Sequence, residues 1–439
     1  MSGAIHQRAI HHVVIIGSVW PEPRSSAAGS NMLGLIKRFL ADDWQVTFAS
    51  PAQTGETRAD LLSLGVKEHS ISLNCSSFDA WIAAQQPDMV LFDRFMMEEQ
   101  FGWRVEQSCP DALRVLDTED LHCLRDVRRQ LLKVSLTTSA HQQEQLPVFE
   151  RSVLLQHLRV SELAMRELAA IYRSDLSLVL SDVEIRLLQD LGVPAALLHH
   201  TPFMLDPGIQ PLKAFSERRD FVCIGNFHHA PNWDAVLWLK QVIWPYIRAR
   251  LPQASVSVYG AYTPQKAREI HAPAEGFHIM GWAEDAHTVM MQARVCLAPL
   301  RFGAGIKGKL ADAMMCGTPS VTTSIGAEGM HGELPWAGAV TDDVQAFARE
   351  AVRLHEDESL WVQAQNRGAA ILRTCFDNVQ IGNALINRLE TCKQSLPAHR
   401  AANITGALLR HHHQKSTMYM ARWIEAKNRL SVLLPESGT

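Results

Sequence analysis

The residues best suited to chemistry in this sequence lie in one stretch, 299–330, PLRFGAGIKGKLADAMMCGTPSVTTSIGAEGM. Gly303, Gly305 and Gly308 fall in a loop after a short apolar strand, where glycines let backbone N–H groups approach a ligand closely. Lys307 and Lys309 stand at the mouth of the helix that follows. A helix N-terminus with a lysine beside it is a site for a diphosphate. Asp312 comes one turn after Gly308 on the same face. Its side chain tilts toward the helix N-terminus, so its carboxylate can accept from ribose or sugar hydroxyls near the loop. Gly317 and Pro319 end the helix, and Gly326, Ala327, Glu328 and Gly329 form a second loop on the same sheet edge. A further polar loop, 117–122 (DTEDLH), follows another strand and offers Glu119, Asp120 and His122. Taken singly, a lysine can be merely solvated and an acid can merely favour a helix dipole. The glycine context argues for the ligand reading at Lys307.

The elements that must position these groups alternate. Apolar runs at 11–18, 45–50, 89–93, 113–118 and 176–181 predict strands. Helices are predicted at 31–43, with apolar residues at i, i+3, i+4, i+7 and i+8 and Asn31 as N-cap, near 60, near 81 and at 151–173. The pattern lapses at 204–219, where two prolines, a glycine and a charge cluster read as a linker. It restarts with strands at 221–225, 254–260, 277–281, 295–299 and 320–324 and helices at 234–251 and from Lys309. Beyond Val344 the sequence is helical. The expected fold class is α/β with two doubly wound Rossmann-like domains facing a central cleft. The domains are expected at 1–204 and 220–395, with a linker at 205–219 and a helical tail at 396–439. Ligands of such sheets bind beyond the carboxyl ends of the strands.

Composition narrows the function classes. Forty-two basic and 46 acidic residues give a net charge of −4, so no basic excess asks for a nucleic-acid partner. The eight cysteines are single and none forms a zinc spacing, which suggests reduced thiols in a cytoplasm. The N-terminal residues show no signal-peptide pattern, and no run is long enough to span a membrane. The pairs His199–His200 and His228–His229 and the run His411 to His413 match no metal-ligand spacing, so no metal and no cofactor is expected. An amphipathic stretch at 418–434, MYMARWIEAKNRLSVLL, leaves peripheral membrane contact open. A GxGxxG after the first strand is lacking, which argues against a dehydrogenase.

RFGAGIKGKLADAMMCGTPSVTT followed by GAEGM resembles the donor-binding motif of retaining glycosyltransferases of the GT-B fold, family 4 (group 1). FVCIGNFHHAPNWDAVLWLKQVIWPYIRARLP, VYG and the GW of IMGWAED extend the resemblance over about 221–330. It implies transfer of a sugar from a nucleotide-sugar donor to an acceptor hydroxyl of a glycan or glycolipid, without a metal. On the matching positions it implies donor contacts from Gly303, Gly305, Lys307, Gly308, Lys309, Asp312, Glu328 and Asn226. His122, Asp120 and Lys307 become the catalytic candidates. Two departures stand out. Members often carry two glutamates separated by seven residues; here the second position is Asp312 and the first is Ala304. The arginine often found in the first loop of the C-terminal domain is replaced within GNFHHAPN, which leaves more of the phosphate charge to Lys307. An epimerase of the same architecture and a non-catalytic sugar-nucleotide-binding subunit remain the alternatives.

Overall fold

The computed structural model describes residues 10–55, 57–138, 145–206 and 212–433. It contains two wholly parallel sheets. The first comprises β1 (His12–Ile16), β2 (Gln45–Ser50), β3 (Lys67–Ser70), β4 (Met89–Asp93), β5 (Leu113–Asp117), β6 (Leu176–Val179) and β7 (Leu198–His200), in the order β3-β2-β1-β4-β5-β6-β7. The second comprises β8 (Arg219–Ile224), β9 (Val256–Tyr259), β10 (Phe277–Gly281), β11 (Ala293–Ala298), β12 (Ser320–Thr322) and β13 (Gly338–Val340), in the order β10-β9-β8-β11-β12-β13. Chain order reverses between β1 and β4 in one sheet and between β8 and β11 in the other. Such reversal points open a crevice at the strand ends. The central strands β1 and β4 are buried on both faces, which is why they read as unbroken apolar runs.

Several expected elements differ. The helix expected at 31–43 is Ala27–Ala41, and its N-cap is Ser26, whose hydroxyl accepts from the Gly29 amide at 3.0 Å. Asn31 is buried in the second turn instead, because its amide group serves acids across the sheet edge. Only a 3-10 turn, Leu62–Leu64, occurs near residue 60, and the polar edge strand β3 follows it. The helix expected at 151–173 is two, Arg151–Leu158 and Glu162–Arg173, with Ser161 capping the second. The helix expected at 234–251 starts at Ala230 and widens into a π turn at Leu239–Ile243. Pro245 lacks an N–H for the helical ladder, and the wider turn accommodates that.

The C-terminal helices return to the first sheet. Leu385, Leu389 and Cys392 of the helix Asn378–Gln394 join the cluster of Ile36 and Phe39. The chain therefore crosses back before 395, the expected domain boundary. Arg400 then holds Asp175 through two hydrogen bonds of 2.8 Å. The last helix, Ile404–Leu433, packs on Phe95–Ser108 and Glu162–Arg173. Among the described residues no helix is long and apolar enough to cross a membrane.

Candidate active site at the seam of the two sheets

The strand ends of both sheets face each other across a cavity of about 460 Å³. The first sheet contributes Arg24 to Ser26 after β1, Arg94 after β4, and Glu119, Asp120, His122 and Arg125 after β5. The second contributes Asn226 and His229 after β8, Gly260 after β9, Trp282 after β10, and 302–304 and 306–309 of the loop after β11. Lys307 is the N-cap of the helix Gly308–Met315, so the free amides of that helix open onto the cavity.

The seam is closed tightly around the glycine loop. Gly305 has φ +62°, and a Cβ there would meet the Asp120 Cβ at 2.7 Å. Its N–H donates to Glu184 Oε1 at 2.8 Å. At Gly308 a Cβ would meet the Ala27 Cβ at 2.5 Å, so two helix N-termini abut across the seam. Arg128 Nη1 donates to the Gly303 carbonyl at 2.8 Å, and the same guanidinium binds both oxygens of Glu328 at 2.7 Å. Asn226 Nδ2 donates to the Ser25 carbonyl at 3.3 Å.

These contacts sort the residues expected from the sequence. Gly303, Lys307, Gly308, Lys309, Asp312, Asn226, Asp120 and His122 all lie in the cavity wall. Gly305 and Glu328 do not. Gly305 turns its amide to Glu184, and Glu328 is drawn away by Arg128. Lys307 is 7% exposed and donates to its own loop at Gly305 O, 2.6 Å away. Lys309 donates to Asn232 Oδ1 at 2.7 Å. Burial pushes both lysines below the usual lysine range. Asp312 is half exposed and faces His287, with 3.4 Å between Oδ1 and Nε2; accepting a hydrogen bond from the imidazole, Asp312 raises the histidine pKa. Ala304 is buried in the apolar cluster of the first sheet that includes Leu116 and Leu121.

The loop after β5 is held by a set of acids. Asp93 and Asp117 are register partners at the ends of β4 and β5. Asn31 Nδ2 donates to Asp117 and Glu119 at 3.5 and 3.3 Å. Burial, with Asp93 beside it, pushes Asp117 up to about 7 and also raises Glu119. The helix His122–Thr138 is capped by two glutamates from other helices. Glu167 accepts from the His122 and Cys123 amides at 2.9 and 2.7 Å, and Glu184 accepts from Leu121 at 3.2 Å. Burial still dominates over these bonds and pushes Glu167 to about 7 and Glu184 to about 8. Asp120 behaves oppositely. Burial works against its charge, but Arg125 and His122 outweigh it and hold the carboxyl at about 2. His122 is pushed down to about 4, chiefly by burial, and is neutral near pH 7.

The sequence reading missed Arg94, Arg125, Arg128 and Glu184. Arg94 sits at φ +74° directly after β4, a backbone feature with no signature in FDRF. Arg125 and Arg128 follow His122 at helical spacing, a signal visible only once that helix is recognised. The arginine lacking from the loop after β8 has counterparts in the cavity wall: Arg24, Arg94 and Arg125, all from the other sheet. Among the described residues no three His, Cys, Asp or Glu side chains are grouped to hold a metal ion.

Residues 218–357 match the family model described as Glycosyl transferases group 1. The search of curated proteins found no match. Solved structures match across most of the chain. Anabaena HepE in complex with UDP and glucose superposes with TM-score 0.62 at 12% identity, covering 86% of this chain and 98% of that one. Sucrose-phosphate synthase from Thermosynechococcus elongatus gives 0.60 at 15% identity, covering 88% and 100%. A UDP-forming α,α-trehalose-phosphate synthase from Burkholderia xenovorans gives 0.59 at 8% identity, covering 87% and 99%. The fold is GT-B. In GT-B terms the second sheet carries the group 1 domain, and the cavity lies between the two halves.

Proposed function

We propose that this GT-B protein is a retaining glycosyltransferase that moves a sugar from a nucleoside-diphosphate donor to an acceptor hydroxyl. One observation carries the reading. A glycine loop, a helix N-terminus and two lysines from the group 1 segment converge on a cleft whose opposite wall holds His122, Asp120 and Arg94. The donor diphosphate lies against Lys307 and the amides of the helix Gly308–Met315, where positive charge is preorganised for the leaving group. Asp312 accepts from the ribose hydroxyls. Neutral His122 and ionised Asp120 hold the donor-sugar and acceptor hydroxyls.

The acceptor oxygen attacks the anomeric carbon on the face that the diphosphate leaves. The carbon–oxygen bond to the diphosphate breaks, the glycosidic bond forms, and the acceptor proton passes to a phosphate oxygen. The products are the glycoside and the nucleoside diphosphate. The closed seam excludes water and so limits donor hydrolysis. No metal is assigned to this chemistry.

HepE has been solved with UDP-glucose, and the trehalose-phosphate synthase is described as UDP-forming, so uridine nucleotides are the first probes. In a thermal-shift screen of common nucleotide sugars, the true donor raises the melting midpoint of the native protein. Lys307→Ala abolishes that shift and the release of nucleoside diphosphate in the presence of acceptor. A Lys307→Ala protein that binds and turns over normally would refute the assignment.

A further inference from the structure

The last helix presents a face that no other described part of the chain covers. Ile404–Leu433 is thirty residues long and touches the body along one side only, through Gly406, Met418 and Ala421. On the outward side Ile404, Leu408, Tyr419, Met420, Trp423 and Leu430 are each 57–65% exposed. Few soluble surfaces concentrate so many large apolar side chains on one helix. Exposed cations, Lys415, Arg422 and Lys427, are interleaved with them. Ile404, Leu408, Lys415, Tyr419, Arg422 and Leu430 follow one another at spacings of three, four, seven or eight, so they form one stripe.

The charge on this helix is of nearly one sign. Its sequence holds five basic residues and a single acid, in a chain whose net charge is −4. The acid, Glu425, is turned to the body, accepting from Ser76 Oγ at 2.6 Å and paired with Arg429. Arg410 is likewise spoken for by Glu106. Among the described residues no ion pair joins Lys415, Arg422 or Lys427 to an acid, whereas Arg410 and Arg429 are paired.

We infer that this face docks on an anionic membrane surface. Aromatic rings and a methionine enter the headgroup boundary, while the lysine and arginine stems lie along it and their charges reach the lipid phosphates. A protein partner of mixed charge would be met by mixed charge, whereas the charges on the outward side of this helix, Lys415, Arg422 and Lys427, are all basic. The docking does not depend on the transferase reading, and its failure would leave that reading untouched.

The test is sedimentation of the full chain with phosphatidylcholine vesicles, with and without phosphatidylglycerol. The protein is expected to pellet with the anionic vesicles, to stay in solution with the neutral ones, and to be released by added salt. The combined variant Lys415→Glu/Arg422→Glu/Lys427→Glu should lower partitioning by at least ~tenfold, since each basic residue near such a surface contributes separately. Tyr419→Ser/Met420→Ser/Trp423→Ser should lose binding as well. All six side chains are exposed, so both variants should melt with the wild type. Wild-type protein that ignores anionic vesicles, or binds neutral ones equally, overturns the inference. So does light scattering that shows the apolar variant splitting a wild-type oligomer, because a second copy would then be the occupant.

Discussion

Glu184 is the residue whose single carboxyl touches both halves of the molecule. Oε1 accepts from Leu121, in the loop of the first sheet, and from Gly305, in the glycine loop of the second. Oε2 is buried without a partner. The side chain thus fixes the distance between Asp120 and the donor loop, although it does not line the cavity. Replacing it by alanine leaves two buried amides without an acceptor, at about 1–3 kcal/mol. Glutamine keeps an oxygen where Oε1 stands. Hydrogen exchange of the free protein separates these cases: Glu184→Ala should speed exchange at residues 119–123 and 302–308 together, and Glu184→Gln should restore most of the protection. Exchange unchanged in Glu184→Ala would show that the two loops are held by other contacts. Ala304 belongs to the same seam. It packs among apolar residues of the first sheet, so the position that is often a glutamate in relatives is here a small apolar contact between the halves.

At the level of elements, the helix His122–Thr138 is the brace between the halves. Arg128 projects from it to Gly303 and Glu328, 4% exposed. Truncation to alanine would leave Glu328 largely buried and unpaired, at about 3 kcal/mol. The Arg128→Ala protein should therefore melt several degrees lower, and the double variant Arg128→Met/Glu328→Leu should recover part of the loss. A single variant as stable as the wild type would mean the pair contributes nothing across the seam. This brace was not legible in the sequence. HCLRDVRRQLLKVSLTT is dense in charge on both sides of its apolar stripe, and its N-terminal amides are capped by glutamates more than forty residues away, so no local signal marks its start. Central strands such as β1 and β4 were legible because burial on two faces demands unbroken apolar runs. Edge strand β3, KEHS, was not, because half of an edge strand meets solvent. The glycine loop and its lysines were legible because backbone approach and phosphate charge restrict the residue types. The arginines opposite were not, because they come from three separate strand ends that only the folded sheet brings together.

On the scale of the whole molecule, these buried ionisable groups set a pH dependence of stability. Asp117 and Glu167 are pushed up to about 7 and Glu184 to about 8 by burial, from ordinary values of 3.8 to 4.5. Between those limits the native state keeps protons that the unfolded chain has released, so stability falls as pH rises. The contribution is fully present below about pH 4 and is lost by about pH 8. Histidines oppose it at lower pH. His122, His199 and His229 are pushed down to about 4 by burial, so from pH 4 to 6.5 the unfolded chain binds more protons and stability rises with pH. The two slopes offset one another below pH 6.5. Above it the histidine term is exhausted and the acid term remains. Thermal melts should therefore show a midpoint that is nearly level from pH 5.5 to 6.5 and declines from pH 6.5 to 8.5. Glu184→Gln, which carries no titrating proton, should flatten the upper part of that decline. A midpoint that climbs through pH 8 would mean that these carboxyls are ionised in the fold. The glycine loop would then be held at neutral pH by a charged Glu184.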